Sequence, residues 1–183
     1  MSNDIHSPHD KFFKDTFSRK SAAISYLQAY LPDDLKSLID FNSLTIYPGE
    51  YIDGELKASS SDLVYQVSLL GEPAYLYFLF EHQSHPQAMM GFRLLKYMLR
   101  LWDAILKDNP AMKSLPPIIP MVLYQSKAKW NASLEFIDLF KPVDDRLKCY
   151  APNFQYLLVD LVHQQTDDIV ADLYSKVALL LMR

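Results

Sequence analysis

SDLVYQVSLLGEPAYLYFLFEHQ, residues 61–83, is the stretch on which the fold turns. Two runs rich in branched and aromatic residues flank a Gly-containing break, a pattern that predicts a β-hairpin. The second run is apolar or aromatic at every position from Tyr75 to Phe80, as expected of a central strand covered on both faces. It then runs directly into Glu81, His82 and Gln83, although burying a charge is expensive.

If the hairpin turns at Gly71-Glu72, Asp62 lies opposite Glu81, with Cβ atoms about 5 Å apart. Gln83, two residues on, shares that face, and His82 points to the other. Two carboxylates at that distance repel unless something positive sits between them. A hard divalent cation such as Mg²⁺ takes oxygen ligands of this kind. The spacing therefore reads in two ways. Either the strand delivers Asp62, Glu81 and Gln83 to the sheet's edge as a cation site, or Glu81 marks where the strand leaves the core and Asp62 caps a turn.

Working outward, residues 19–31 carry apolar side chains near helical spacing, and Pro32 stops the run before a short helix DDLKSLI at 33–39. Residues 43–52 read as extended, broken by the Pro48-Gly49 turn signal. Residues 88–107 form the clearest helix, with Phe92, Leu95, Leu99, Trp102 and Leu106 as an expected buried stripe. Arg93, Lys96, Arg100 and Lys107 line another face, either as a solvated surface or as phosphate contacts. IIPMVLY at 118–124 and FQYLLVDLV at 154–162 read as strands. Residues 166–183 predict an amphipathic helix with Val170, Leu173, Val177 and Leu181 on one side. It has no stop signal, so a continuing region or a partner, including a second copy of the chain, is expected there. The order of elements predicts an α/β or α+β sandwich.

The chain has 183 residues, half of them hydrophobic and 22% charged, which fits one ordinary domain and excludes the disordered classes. The lone Cys149 excludes an internal disulfide framework and a thiolate zinc cluster, and suits a reducing cytoplasm. The N-terminus lacks the apolar region of a secretory signal, and no apolar run approaches the roughly 18 residues of a membrane span. A net charge of −4 exerts no global pull on nucleic acid, so any such binding requires a local basic face.

PHDKFFKDTF at 8–17, YLPDDL at 30–35, YIDGELKASSSDLVYQV at 51–67, YFLFEHQSHP at 77–86, FRLLKYMLRLW at 92–102 and LPPIIPMVLY at 115–124 occur in this order. Together they resemble the Rpn family of recombination-promoting nucleases, the YhgA-like transposases, from about residue 8 to residue 165. The resemblance implies a PD-(D/E)XK nuclease-like domain over 1–165, with a restriction-endonuclease-like mixed sheet flanked by helices in the order αβββαβ. The segment 166–183 would be a C-terminal helix opening a further region. Carried over, the superfamily's Asp falls on Asp62, its second acid on Glu81 and its Lys position on Gln83. The implied activity is Mg²⁺-dependent endonuclease action on DNA, with Mn²⁺ as a substitute, linked to recombination or mobile elements. The rival reading is a non-catalytic nuclease-fold module that binds DNA or a protein.

The chain departs from the pattern at two places. Gln83 carries no charge and cannot act as a base. The family's Tyr-x-Gly…Trp pattern is represented here by Tyr124, Gln125, Ser126 and Trp130. An early helix in the superfamily often supplies an acid, which makes Asp10 a candidate beside its simpler role as a helix cap. Lys14 is either a phosphate contact or an exposed side chain. Arg93, Lys96 and Arg100 become phosphate contacts near the cation. His82 and His85, with His6 or His9, form a weaker alternative metal set. Ser84 has no His-Asp arrangement for nucleophilic catalysis, and Glu50, Asp53 and Glu55 read as loop residues.

Overall fold

The hairpin forms as strands β2 (Asp62–Leu69) and β3 (Glu72–Glu81) in a computed structural model that describes residues 8–47, 62–81, 87–140 and 144–163. Strand β1 (Ile39–Ile46) pairs antiparallel with β2, while β4 (Ile118–Tyr124) lies parallel to β3 and β5 (Leu157–Asp160) parallel to β4. The result is one mixed sheet in the order β1-β2-β3-β4-β5. Helices α1 (Pro8–Phe17), α2 (Lys20–Tyr30) and the single turn α3 (Asp33–Lys36) precede it, and α4 (Met90–Asp108) connects β3 to β4. This is the αβββαβ order, and the architecture is consistent with a restriction-endonuclease-like fold. Among the described residues no helix is long and apolar enough to cross a membrane. The expected helix at 166–183 lies outside the described residues.

Period two along the strands divides the core. Leu63, Tyr65, Val67, Leu76 and Phe78 face α1 and α2 through Phe13, Phe17, Tyr26 and Leu27. Val64, Tyr75, Tyr77 and Leu79 face α4 through Met90, Leu94, Met98, Leu101 and Ile105. Because β3 is paired on both edges and covered on both faces, its interior positions from Ala74 to Leu79 are all buried. Pro120 sits in β4 before the β5 pairing begins at Met121, so its missing N–H interrupts no ladder on that side.

Four expectations need correction. The first strand runs 39–46 rather than 43–52, ending before the Pro48-Gly49 signal, and the helix at 33 closes after one turn because the chain enters β1 at Ile39. The buried stripe of α4 is displaced: Phe92 and Leu99 are 48% and 50% exposed, whereas Leu94, Met98, Leu101 and Ile105 meet the sheet. Both sets obey the three-four spacing of one broad apolar surface, and the position of the sheet selects between them.

The last correction is the hairpin register. The turn residues are Leu70 and Gly71, so Leu69 faces Glu72 and Asp62 faces Leu79 rather than Glu81. Both turn residues have positive φ, 54° and 89°, the geometry whose twist matches the flanking strands. A slip of two residues leaves every side chain on its expected face, whereas a slip of one would reverse them all.

Leu70 adopts this left-handed conformation with its side chain 74% exposed, so no packing offsets the steric cost. Leu70→Asn is accordingly expected to raise stability by about 0.5–1 kcal/mol in urea denaturation, since Asn tolerates the conformation. An unchanged or lower midpoint would contradict this account of the turn.

Candidate active site

Asp62 opens β2 half-buried, on the same face as Val64, which packs under α4. Opposite Val64 stands Tyr77, and its hydroxyl donates to Asp62 Oδ2 at 2.5 Å. The Tyr77 ring stacks on Tyr97 of α4, with centroids 5.3 Å apart and planes at 24°. Arg93, one helical turn earlier, donates from Nε to the Tyr97 hydroxyl at 3.0 Å and from Nη1 to Gln87 Oε1 at 3.3 Å. Its guanidinium also lies 5.6 Å from the centre of the Tyr97 ring. A continuous polar and aromatic chain therefore links Asp62, Tyr77, Tyr97, Arg93 and Gln87 across the sheet–helix boundary.

Burial, above all, pushes the Tyr77 phenol well above its ordinary value, and the Asp62 charge and hydrogen bond push the same way, with Arg93 opposing. Tyr77 thus stays a proton donor and Asp62 its acceptor. The hydrogen bond orients one carboxylate oxygen, as a supporting residue does behind a metal ligand.

Glu81 ends β3, its backbone paired with Tyr124 of β4, a residue of the α4-side core. Position 81 comes two residues after Leu79, the partner of Asp62, so strand periodicity assigns it to the same row. The pair is diagonal rather than directly opposed, a spacing of about 7–8 Å between backbone positions, which is a wider gap than the sequence predicted. The side chain of Glu81 lies outside the described residues, as do Gln83, His82, Ser84, His85, His6, Glu50, Asp53 and Glu55.

Along α4, Lys96 and Lys107 are exposed while Arg93 and Arg100 are half-buried. Arg93 is thus already engaged in the tyrosine chain rather than standing alone. Helix α1 packs on the other face of the sheet, with Lys14 half-buried there; Asp10 and His9 lie on α1, but their side chains are outside the described set. At the next strand end the departing loop is closed by its own contacts. The Tyr124 hydroxyl donates to the Ala128 carbonyl at 2.8 Å, and Tyr124 meets Trp130 edge-on at 4.8 Å. Ser126 Oγ accepts the Ala128 N–H, so Tyr124 and Trp130 still pack together without the glycine.

Among the described residues no group of three or more His, Cys, Asp or Glu side chains suited to a metal comes together. The described donors beside position 81, the Asp62 carboxylate with Tyr77 behind it, are oxygens, which fits a hard cation. Sequence reasoning missed Tyr77 and Tyr97. The available signal was a phenol in the middle of a fully buried strand, whose hydroxyl must find a partner.

A sequence profile described as "Putative transposase, YhgA-like" matches residues 7–183. The chain is 32% identical to the recombination-promoting nuclease RpnC of Escherichia coli (strain K12) over 165 residues, 90% of this chain and 54% of that protein. It is 31% identical to the recombination-promoting nuclease RpnD of Escherichia coli O157:H7 over 175 residues, covering 95% of this chain and 65% of that one. It is also 28% identical to the inactive recombination-promoting nuclease-like protein RpnE of Escherichia coli (strain K12), over 95% of this chain and 56% of the relative. The chain thus spans 54% to 65% of the length of these relatives. No solved structure matches it.

Proposed function

The chain belongs to the YhgA-like putative transposase family, within the PD-(D/E)XK superfamily, and on that premise we propose that it is a Mg²⁺-dependent DNA endonuclease linked to recombination or mobile elements. The observation that carries the reading is the Tyr77–Asp62 hydrogen bond, which holds a half-buried carboxylate at the sheet's edge in the same row as position 81. Two of the relatives described above carry the name of nucleases.

In this reading Asp62 and Glu81 hold the cation, and Gln83 contributes its amide oxygen to the metal or to a water. Bound Mg²⁺ supplies Lewis acidity toward a phosphoryl oxygen and increases the acidity of water. Tyr77 keeps Asp62 aimed through its hydroxyl. Arg93, braced by Tyr97 and Gln87, provides a fixed positive charge for a phosphate, with Lys96 and Arg100 following along the helix. Lys14 and Asp10 would have to reach the edge from the opposite face. The lone exposed Cys149 fits a cytoplasmic setting.

Plasmid nicking tests the proposal: cleavage that needs Mg²⁺ and stops with chelator is expected. The second reading, a module that binds without cutting, is favoured by the relative named inactive and by the net charge of −4. A chain that shows neither cleavage nor calorimetric uptake of Mg²⁺ is that module.

Tyr77→Phe removes only the hydroxyl behind Asp62. It is expected to cut Mg²⁺-dependent cleavage about 10-fold or more and to raise the Mg²⁺ concentration needed for half-maximal rate. Parent-like Mg²⁺ dependence in this variant would separate Tyr77 from the site.

A further inference from the structure

Four strand ends share one edge of the sheet. Asp62 opens β2 there, because β2 runs against β3, while β3, β4 and β5 all end there. The rungs Glu81–Tyr124 and Tyr124–Asp160 continue across the edge in one row. Leu158 packs on the α4 side and Val159 on the other, so Asp160 belongs to the α4 side, as Asp62 does.

At the far end of this row Asp160 holds His163. The imidazole Nδ1 lies 2.8 Å from Oδ2 and 3.0 Å from Oδ1, and Oδ1 also accepts the N–H groups of Val162 and His163, each at 3.2 Å. The pair is partly buried, with the side chains 26% exposed for His163 and 17% for Asp160. These contacts hold the Asp160 carboxylate inside the turn. A ring anchored through Nδ1 directs Nε2 away from Asp160, and among the described residues Nε2 has no partner. An imidazole held this way donates from Nε2 when protonated, the geometry for a charge-assisted bond to a phosphate oxygen.

We propose that His163, positioned by Asp160, contacts a backbone phosphate of the nucleic acid that this edge receives. The contact rests on the nuclease reading and adds a direction to it: the bound strand runs along the edge from Asp62, past position 81 and Tyr124, to His163. Adjacent strands lie about 4.8 Å apart, so three spacings put β5 about 14 Å from β2. DNA carries one phosphate about every 3.4 Å of axis on each strand, so His163 meets a phosphate a few nucleotides from the one at Asp62. In a chain of net charge −4, phosphate attraction has to come from local donors of this kind.

The test is duplex binding by fluorescence anisotropy with chelator present, so that nothing is cut. His163→Ala should weaken binding about five- to ten-fold and reduce the slope of log affinity against log salt by about one. His163→Arg should restore both, because Arg can use Asp160 as its brace and still reach phosphate. A His163→Ala variant with parent affinity and slope overturns the contact. So does a weakened variant that melts lower and is not rescued by Arg, since that result assigns the pair to turn stability alone. If the parent itself does not bind duplex at low salt, the nuclease reading fails and this contact fails with it. Parent binding with an indifferent His163→Ala removes the contact alone.

Discussion

Asp62→Asn is expected to lower Mg²⁺-dependent plasmid cleavage by about 10²–10³-fold while leaving the protein folded. The amide keeps an oxygen to accept the Tyr77 hydroxyl, so the side-chain bond between β2 and β3 survives while the negative charge is lost. Asp62→Ala should abolish cleavage as well, but it also strands the buried Tyr77 hydroxyl, at a cost of about 1–3 kcal/mol. Comparing the two separates chemistry from stability. Both should be inert, yet only the alanine variant should melt measurably lower. Calorimetry adds a readout without turnover, since the heat of Mg²⁺ binding should disappear from Asp62→Asn. An Asp62→Asn protein that cuts DNA at the parent rate would remove Asp62 from the site.

The largest expected loss of stability lies on the opposite face of the sheet, in β3. Phe78 is 1% exposed, and its ring stands 5.3 Å from Phe13, 5.4 Å from Phe17, 5.1 Å from Tyr26 and 6.3 Å from Tyr65. It joins the sheet to α1 and α2 at once, so its removal opens a gap between the two layers. Phe78→Ala should therefore cost about 3–5 kcal/mol in urea denaturation, a large part of the ~5–15 kcal/mol that holds a typical domain together. Phe78→Leu keeps most of the volume and should cost markedly less. Phe78 faces away from Asp62, so the leucine variant should retain parent cleavage per folded molecule. A loss below about 1 kcal/mol for alanine would mean that the α1–α2 layer is not anchored through this ring.

The candidate site was only partly legible before folding. Glu81 stood out because a fully apolar strand ends in a charge, and Asp62 because the assumed hairpin set it opposite Glu81. Their common face was expected from period two together with the assumed turn, and a register shift of two residues keeps positions 62 and 81 in one row. Their spacing did not survive that shift, because register depends on which two residues enter the left-handed region. Gly71 was foreseeable there, but Leu70 was not, since a β-carbon normally disfavours that conformation. Tyr77 was hidden in plain view: a pattern that counts tyrosine as apolar does not ask where its hydroxyl goes.

Local pattern alone determined the existence and order of the main elements, namely the hairpin with its buried second strand, the long helix and the two strands after it. Periods of two and 3.6 are properties of the backbone, carried by any segment wherever it packs. Only the tertiary structure decided which apolar stripe of α4 meets the sheet, because two stripes with the same spacing differ solely in where the sheet lies. It alone joined Tyr77 to Asp62, 15 residues apart, and placed Asp160 and His163 on the edge that Asp62 opens. That edge exists because β2 runs against β3 while β4 and β5 run with it, and strand direction is chosen by long-range pairing rather than by any residue's own preference.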